Sequence, residues 1–127
     1  MEKKKILVVD DEIDFLNLLK ARLEANNYNV VTAMNGKEAL EKFKQEKPEA
    51  LMLDIMMPGI NGLEVLKTIR KEDKNLPIFI ITAFSNEERF KVANQCNASG
   101  FIMKTSDLQT EIDNITKSLE IADRHKK

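Results

Sequence analysis

Ile6-Leu7-Val8-Val9-Asp10-Asp11-Glu12 is the stretch on which the fold turns. Four consecutive aliphatic residues running straight into acids read as a short strand buried on both faces, the pattern of a parallel sheet covered by helices. Downstream, Phe15, Leu19 and Leu23 recur at four-residue spacing on one face of a helix. Asn26-Asn27 closes that helix, because Asn tolerates the left-handed conformation. The same alternation then repeats to the end of the chain.

A second strand is expected at Asn29 to Ala33, and Asn35 caps a helix carrying Ala39, Leu40 and Phe43 that stops before Pro48. Ala50-Leu51-Met52-Leu53 is a third strand running into Asp54. A loop with Pro58, Gly59 and Gly62 leads to a helix with Leu63, Leu66 and Ile69. Ile78-Phe79-Ile80-Ile81 is a fourth strand, and Ser85 to Glu88 has the capping-box spacing that opens a fourth helix. Phe101-Ile102-Met103 is a fifth strand. Ser106 and Gln109 repeat the capping-box spacing before a last helix with Leu108, Ile112, Ile115 and Leu119 inward. Five strand–helix units without a linker or repeat imply an α/β domain with a five-stranded parallel sheet and helices on both faces. The domain is expected over residues 1–122, with 123–127 as a charged, frayed tail.

The totals narrow the function. The chain has 127 residues, 20 Lys+Arg against 21 Asp+Glu, and a net charge of -1. That balance lacks the broad basic field needed to track a nucleic-acid backbone, so direct nucleic-acid binding is not expected. The run Ile6 to Val9 is far too short to span a membrane. Cys96 is the single cysteine and cannot form an internal disulfide, which makes a reducing cytoplasm the simplest setting.

In sheets of this kind ligands sit outside the carboxyl ends of the strands. Those ends carry Asp10-Asp11, Asp54, Thr82 and Lys104. Two carboxylates about 4 Å apart repel by roughly 4 kcal/mol at an effective dielectric near 20, so positive charge must offset them. Mg2+ is the natural complement, since it takes oxygen ligands and needs only one or two carboxylates. Acids with one Lys and one Thr therefore read as a metal-assisted phosphoryl site, with a carboxylate as nucleophile and Lys104 and the Thr82 hydroxyl meeting the transferring oxygens. Taken singly, each feature has a plainer reading. Asp10-Asp11-Glu12 could be acids favoured by a helix dipole, Thr82 a turn residue, Lys104 a solvated lysine and Phe101 ordinary core.

Together, Val8-Val9-Asp10-Asp11-Glu12, the block Asp54-Ile55-Met56-Met57-Pro58-Gly59-Ile60-Asn61-Gly62, Thr82-Ala83 and Lys104 resemble the response-regulator receiver family of bacterial two-component signalling. The resemblance implies a flavodoxin-like (βα)5 fold with strand order 2-1-3-4-5. It implies Asp54 as phosphoacceptor and Mg2+ held by Asp11 directly, Asp10 through water, Asp54 and the Met56 backbone carbonyl. Thr82 would be the switch hydroxyl, Lys104 the phosphate-contacting lysine and Phe101 the switch aromatic. The implied partners are a sensor histidine kinase or phosphotransfer protein and a downstream target or fused output domain. The changed face would comprise the helix opened at Ser85, the fifth strand and the last helix, and a phosphorylation-dependent homodimer is open. No turnover of a separate substrate is expected.

The chain departs from the usual family pattern at Thr105, where Pro commonly follows the Lys, and at Met56 and Phe84, which are apolar where polar residues are common. The last two are expected to restrict water near an acyl phosphate and slow its loss. The alternative is a small phosphohydrolase with an aspartyl nucleophile, of the haloacid-dehalogenase type. That family would place its nucleophile on the first strand and add a cap. A flavin module would want a phosphate cradle after the first strand, where Asp10-Asp11-Glu12 would repel it.

Overall fold

The structure, a computed structural model, describes residues 3–55, 62–82, 91, 97–104 and 107–125. In chain order the elements are β1 (Lys5–Val9), α1 (Ile13–Ala25), β2 (Asn29–Ala33), α2 (Gly36–Glu46), β3 (Ala50–Asp54), α3 (Gly62–Glu72), β4 (Ile78–Thr82), β5 (Gly100–Met103) and α4 (Leu108–His125). All five strands are parallel in one sheet of order β2-β1-β3-β4-β5, as the resemblance implied.

Alternation along the strands builds two cores. Ile6 and Val8 of β1 face one way with Ala50, Met52, Phe79, Ile81 and Ile102, where Leu16, Leu19 and Leu23 of α1 and Ile112, Ile115 and Leu119 of α4 cover them. Leu7, Val9, Leu51, Leu53, Ile78 and Ile80 face the other way, beneath Ala39 of α2 and Val65, Leu66 and Ile69 of α3. The continuous aliphatic runs are thus buried on both faces because helices lie on both.

Local signals close the elements where the residue types predict. Asn35 Oδ1 accepts from the Glu38 N–H at 2.8 Å and caps α2. Asn27 takes a left-handed φ of 74° just past α1. Lys47, at φ 48°, ends α2 immediately before Pro48, a turn chemistry not evident from the residue type.

Several expectations change. The buried stripe of α1 is Leu16, Leu19 and Leu23, while Phe15 is half-buried at its edge, since 3.6-residue periodicity centres the stripe one position later. Asp107 opens α4, its carboxylate accepting from the Gln109 N–H at 3.3 Å and the Thr110 hydroxyl at 2.9 Å. Ser106, the expected cap, lies outside the described residues, as do the segment opened at Ser85 and Thr105. The backbone of α4 is helical through His125.

Candidate functional site

Parallel pairing sends the carboxyl ends of all five strands to one edge. Val9 pairs with Leu53, so Asp10 and Asp54 follow one another across the middle of the sheet. Asp54 pairs with Ile81 and Thr82 with Met103, which brings Lys104 to the same edge from the outermost strand. The Lys104 N–H donates to the Thr82 carbonyl at 2.8 Å and fixes the base of that side chain.

From there the ammonium enters an acidic pocket. Lys104 Nζ lies 3.0 Å from Asp10 Oδ2 and 3.4 Å from Asp54 Oδ2, and it donates a close hydrogen bond to Glu12 Oε1. The Phe15 ring covers another side, with its centroid 5.0 Å from Nζ, within cation–π range. Asp10, Asp54 and Thr82 are the buried polar residues of the described chain. Asp10 Oδ1 accepts from the Glu12 N–H at 2.9 Å. Its Oδ2 has the lysine's charge beside it, but the 3.0 Å approach lacks hydrogen-bond alignment, so this buried oxygen has no hydrogen-bond partner.

Burial pushes the Asp10 carboxyl up to about 6 from an ordinary 3.8, and the Asp54 charge adds to the rise; the Glu12 N–H and Lys104 oppose it. Burial disfavours the charged form of Lys104, but the hydrogen bond to Glu12 and the close negative charges of Asp10 and Asp54 outweigh it. Its pKa is held above the usual lysine value.

Among the described residues, carboxylate oxygens of Asp10, Glu12 and Asp54 lie within 4.8 Å of one another. Three acids at that spacing and an orphaned buried oxygen fit a hard divalent cation such as Mg2+. Asp11, expected as a direct ligand, is half-buried and stands outside that group, whereas Glu12 stands inside it. Met56 lies outside the described residues. Phe101 is half-buried, pairs with Ile80 and packs on the α2/α3 side of the sheet. Sequence reasoning did not single out the roles of Glu12 and Phe15 around Lys104. Both are ordinary residues for the first turn of a helix, and only the reach of Lys104 reveals them.

The sequence model of the response regulator receiver domain matches residues 6–116. The chain is 37% identical over 122 residues to the alkaline phosphatase synthesis transcriptional regulatory protein PhoP of Bacillus subtilis, covering 94% of this chain and 51% of that one. It is 30% identical over 121 residues to sporulation initiation phosphotransferase F of the same organism, covering 95% and 98%. The chain thus spans about half the length of PhoP and of the probable transcriptional regulators ycf27 of Porphyridium aerugineum and Cyanophora paradoxa, and nearly all of the phosphotransferase. A CheY-like receiver domain structure from Methanospirillum hungatei superposes with a TM-score of 0.92 at 26% identity, covering 98% of this chain and 99% of that one. These matches give the haloacid-dehalogenase-type alternative no support. With its sheet order and acidic edge, this chain belongs to the response regulator receiver domain family, the signalling switches of two-component systems.

Proposed function

We propose that Asp54 accepts a phosphoryl group from a phosphohistidine of a sensor kinase or phosphotransfer protein, and that the resulting charge switches the domain. The observation that carries this reading is the position of Asp54. It is buried at the end of the central strand β3, with Lys104 Nζ 3.4 Å from Oδ2 and the orphaned Asp10 oxygen in the same pocket. An Asp54 oxygen attacks phosphorus, the phosphorus–nitrogen bond breaks, and its electron pair leaves with the imidazole. Lys104 and the Thr82 hydroxyl meet the transferred oxygens, which supplies fixed positive charge and a hydrogen-bond donor where charge is gained.

Asp10, Asp11, Asp54 and the Met56 carbonyl would hold Mg2+, with Glu12 close enough to join them. When bound, the ion neutralises phosphoryl oxygens and lets the acids share the pocket. The same residues would serve loss of the phosphoryl group to water, so self-catalysed dephosphorylation belongs to this reading, without turnover of a separate substrate.

The switch follows from packing. Drawing Thr82 toward the phosphoryl group frees space beside β4 that the Phe101 ring on β5 can fill, and packed cores prefer two discrete arrangements. The output would be the face of β5, α4 and the segment opened at Ser85, offered to a target, a fused output domain or a second copy. No helix of the described residues is long and apolar enough to cross a membrane, and a cytoplasmic setting fits the lone Cys96.

Incubation with Mg2+ and acetyl phosphate, followed by intact mass, tests the reading. One phosphate adduct is expected on the wild type and none on Asp54→Ala. An adduct that persists in Asp54→Ala, or never forms on a folded wild type beside an active control, would sink it.

A further inference from the structure

Lys104 has one ammonium and three carboxylate neighbours, and they are not equivalent. Asp10 and Asp54 are buried on strand ends. Glu12 lies at the N-cap of α1, and its side chain is 62% exposed against 10% for that of Lys104. The Glu12 backbone is tethered, its N–H donating to Asp10 Oδ1 at 2.9 Å and its carbonyl accepting from the Leu16 N–H at 2.9 Å. Its carboxylate does not cap the helix. Yet this exposed carboxylate makes the closest contact with Nζ, while the Asp54 contact stretches to 3.4 Å, the outer edge of a hydrogen bond. Phe15, one turn into α1, lies 5.0 Å from the ammonium.

We infer that Glu12 is a positioning residue that competes with Asp54 for Lys104, aided by Phe15, and that Lys104 must give up Glu12 to close fully on a phosphoryl group at Asp54. The inference rests on the reading of Asp54 as acceptor. A phosphoryl group carries about -1.5 to -2 charge and three strong acceptor oxygens, enough to outbid one carboxylate for the lysine. Glu12 is the partner that can be given up at low cost, because its carboxylate swings into water, whereas Asp10 and Asp54 have no such route. The Glu12–Lys104 pair therefore favours the unphosphorylated state and sets how readily the site is charged.

The test compares wild type with Glu12→Gln and Glu12→Ala at Mg2+ saturating for each protein. Adduct formation from acetyl phosphate is followed by intact mass, and the Lys104 ammonium by 15N NMR before any phosphodonor is added. Removing the pair is expected to raise the initial rate roughly 2–5-fold, the range of an ion pair with one exposed member. Glu12→Ala is expected to exceed Glu12→Gln, which keeps an amide oxygen as a weaker acceptor. The Lys104 ammonium resonance is expected to move in both variants, which a merely structural role for Glu12 would not produce. Equal or lower rates in the variants, or an unmoved ammonium resonance, overturn the proposal while leaving Asp54 as acceptor. An adduct on none of the three proteins overturns the reading of Asp54 and this proposal with it.

Discussion

Gly62, the first residue of α3, packs so close to Asp54 that a Cβ there would stand 2.8 Å from the Asp54 carbonyl oxygen and 2.3 Å from the Ile55 Cα. Neither obstacle is a flexible side-chain end. Gly62→Ala must push α3 away from the acceptor strand or shift the backbone that carries Asp54. Overpacking of this kind costs roughly 1–3 kcal/mol. We expect a lowered urea midpoint and, in protein still folded, slower adduct formation from acetyl phosphate. Wild-type stability and rate in Gly62→Ala would show that the close approach is relieved without effect.

The raised pKa of Asp10 predicts a pH signature in metal-free protein. The unfolded chain releases this proton near 3.8, and the folded chain holds it to about 6. Between those values the folded state binds the extra proton, so this group makes stability fall as pH rises from about 4 to about 6, with no further change above. Asp10→Asn should remove that component, and added Mg2+ should shrink it, because a cation favours the carboxylate. Thermal unfolding at pH 4, 5, 6 and 7 in chelator, compared between wild type and Asp10→Asn, measures it. Parallel curves for the two proteins would contradict the burial argument.

Tyr28, just before β2, ties the α1 side of the domain to α4 through a 2.7 Å hydrogen bond between its hydroxyl and that of Thr116. Tyr28 is buried and Thr116 is half-buried, so the bond lies at the margin of the core. Tyr28→Phe and Thr116→Val should each cost about 0.5–1.5 kcal/mol, and the double variant should cost less than their sum. Chemical denaturation of the four proteins gives the coupling, and strict additivity would mean that the bond contributes nothing.

Met56 and Phe84 bear on the lifetime of the phosphorylated state. Apolar side chains two residues past the acceptor and two past Thr82 are expected to exclude attacking water. Met56→Asn and Phe84→Glu should each shorten the adduct half-life, read by quenching the phosphodonor and following intact mass with time. Half-lives equal to or longer than wild type would refute the role.

Much of this architecture is written in local sequence. The aliphatic runs at Ile6–Val9 and Ile78–Ile81 declare themselves, because a strand buried on two faces needs apolar side chains at successive positions. Asn35 and Asn27 declare the start of α2 and the end of α1 for equally local reasons of hydrogen bonding and backbone conformation. Asp10, Asp54, Thr82 and Lys104 were legible as strand-end residues, since parallel strands all finish on one edge. Which acids share the lysine was not legible. Asp10, Asp11 and Glu12 are three acids in a row, and neither composition nor spacing ranks them. The ranking comes from the register of β1, β3, β4 and β5, which brings Lys104 across β4 to Asp54, and from the first turn of α1, which turns Glu12 and Phe15 toward its ammonium. Sequence thus determined the elements and the chemical character of the edge, because those depend on short-range patterns. Tertiary structure alone decided that Glu12 rather than Asp11 meets Lys104 and that Asp10 keeps an orphaned oxygen, because those depend on distances between residues 44 to 94 positions apart.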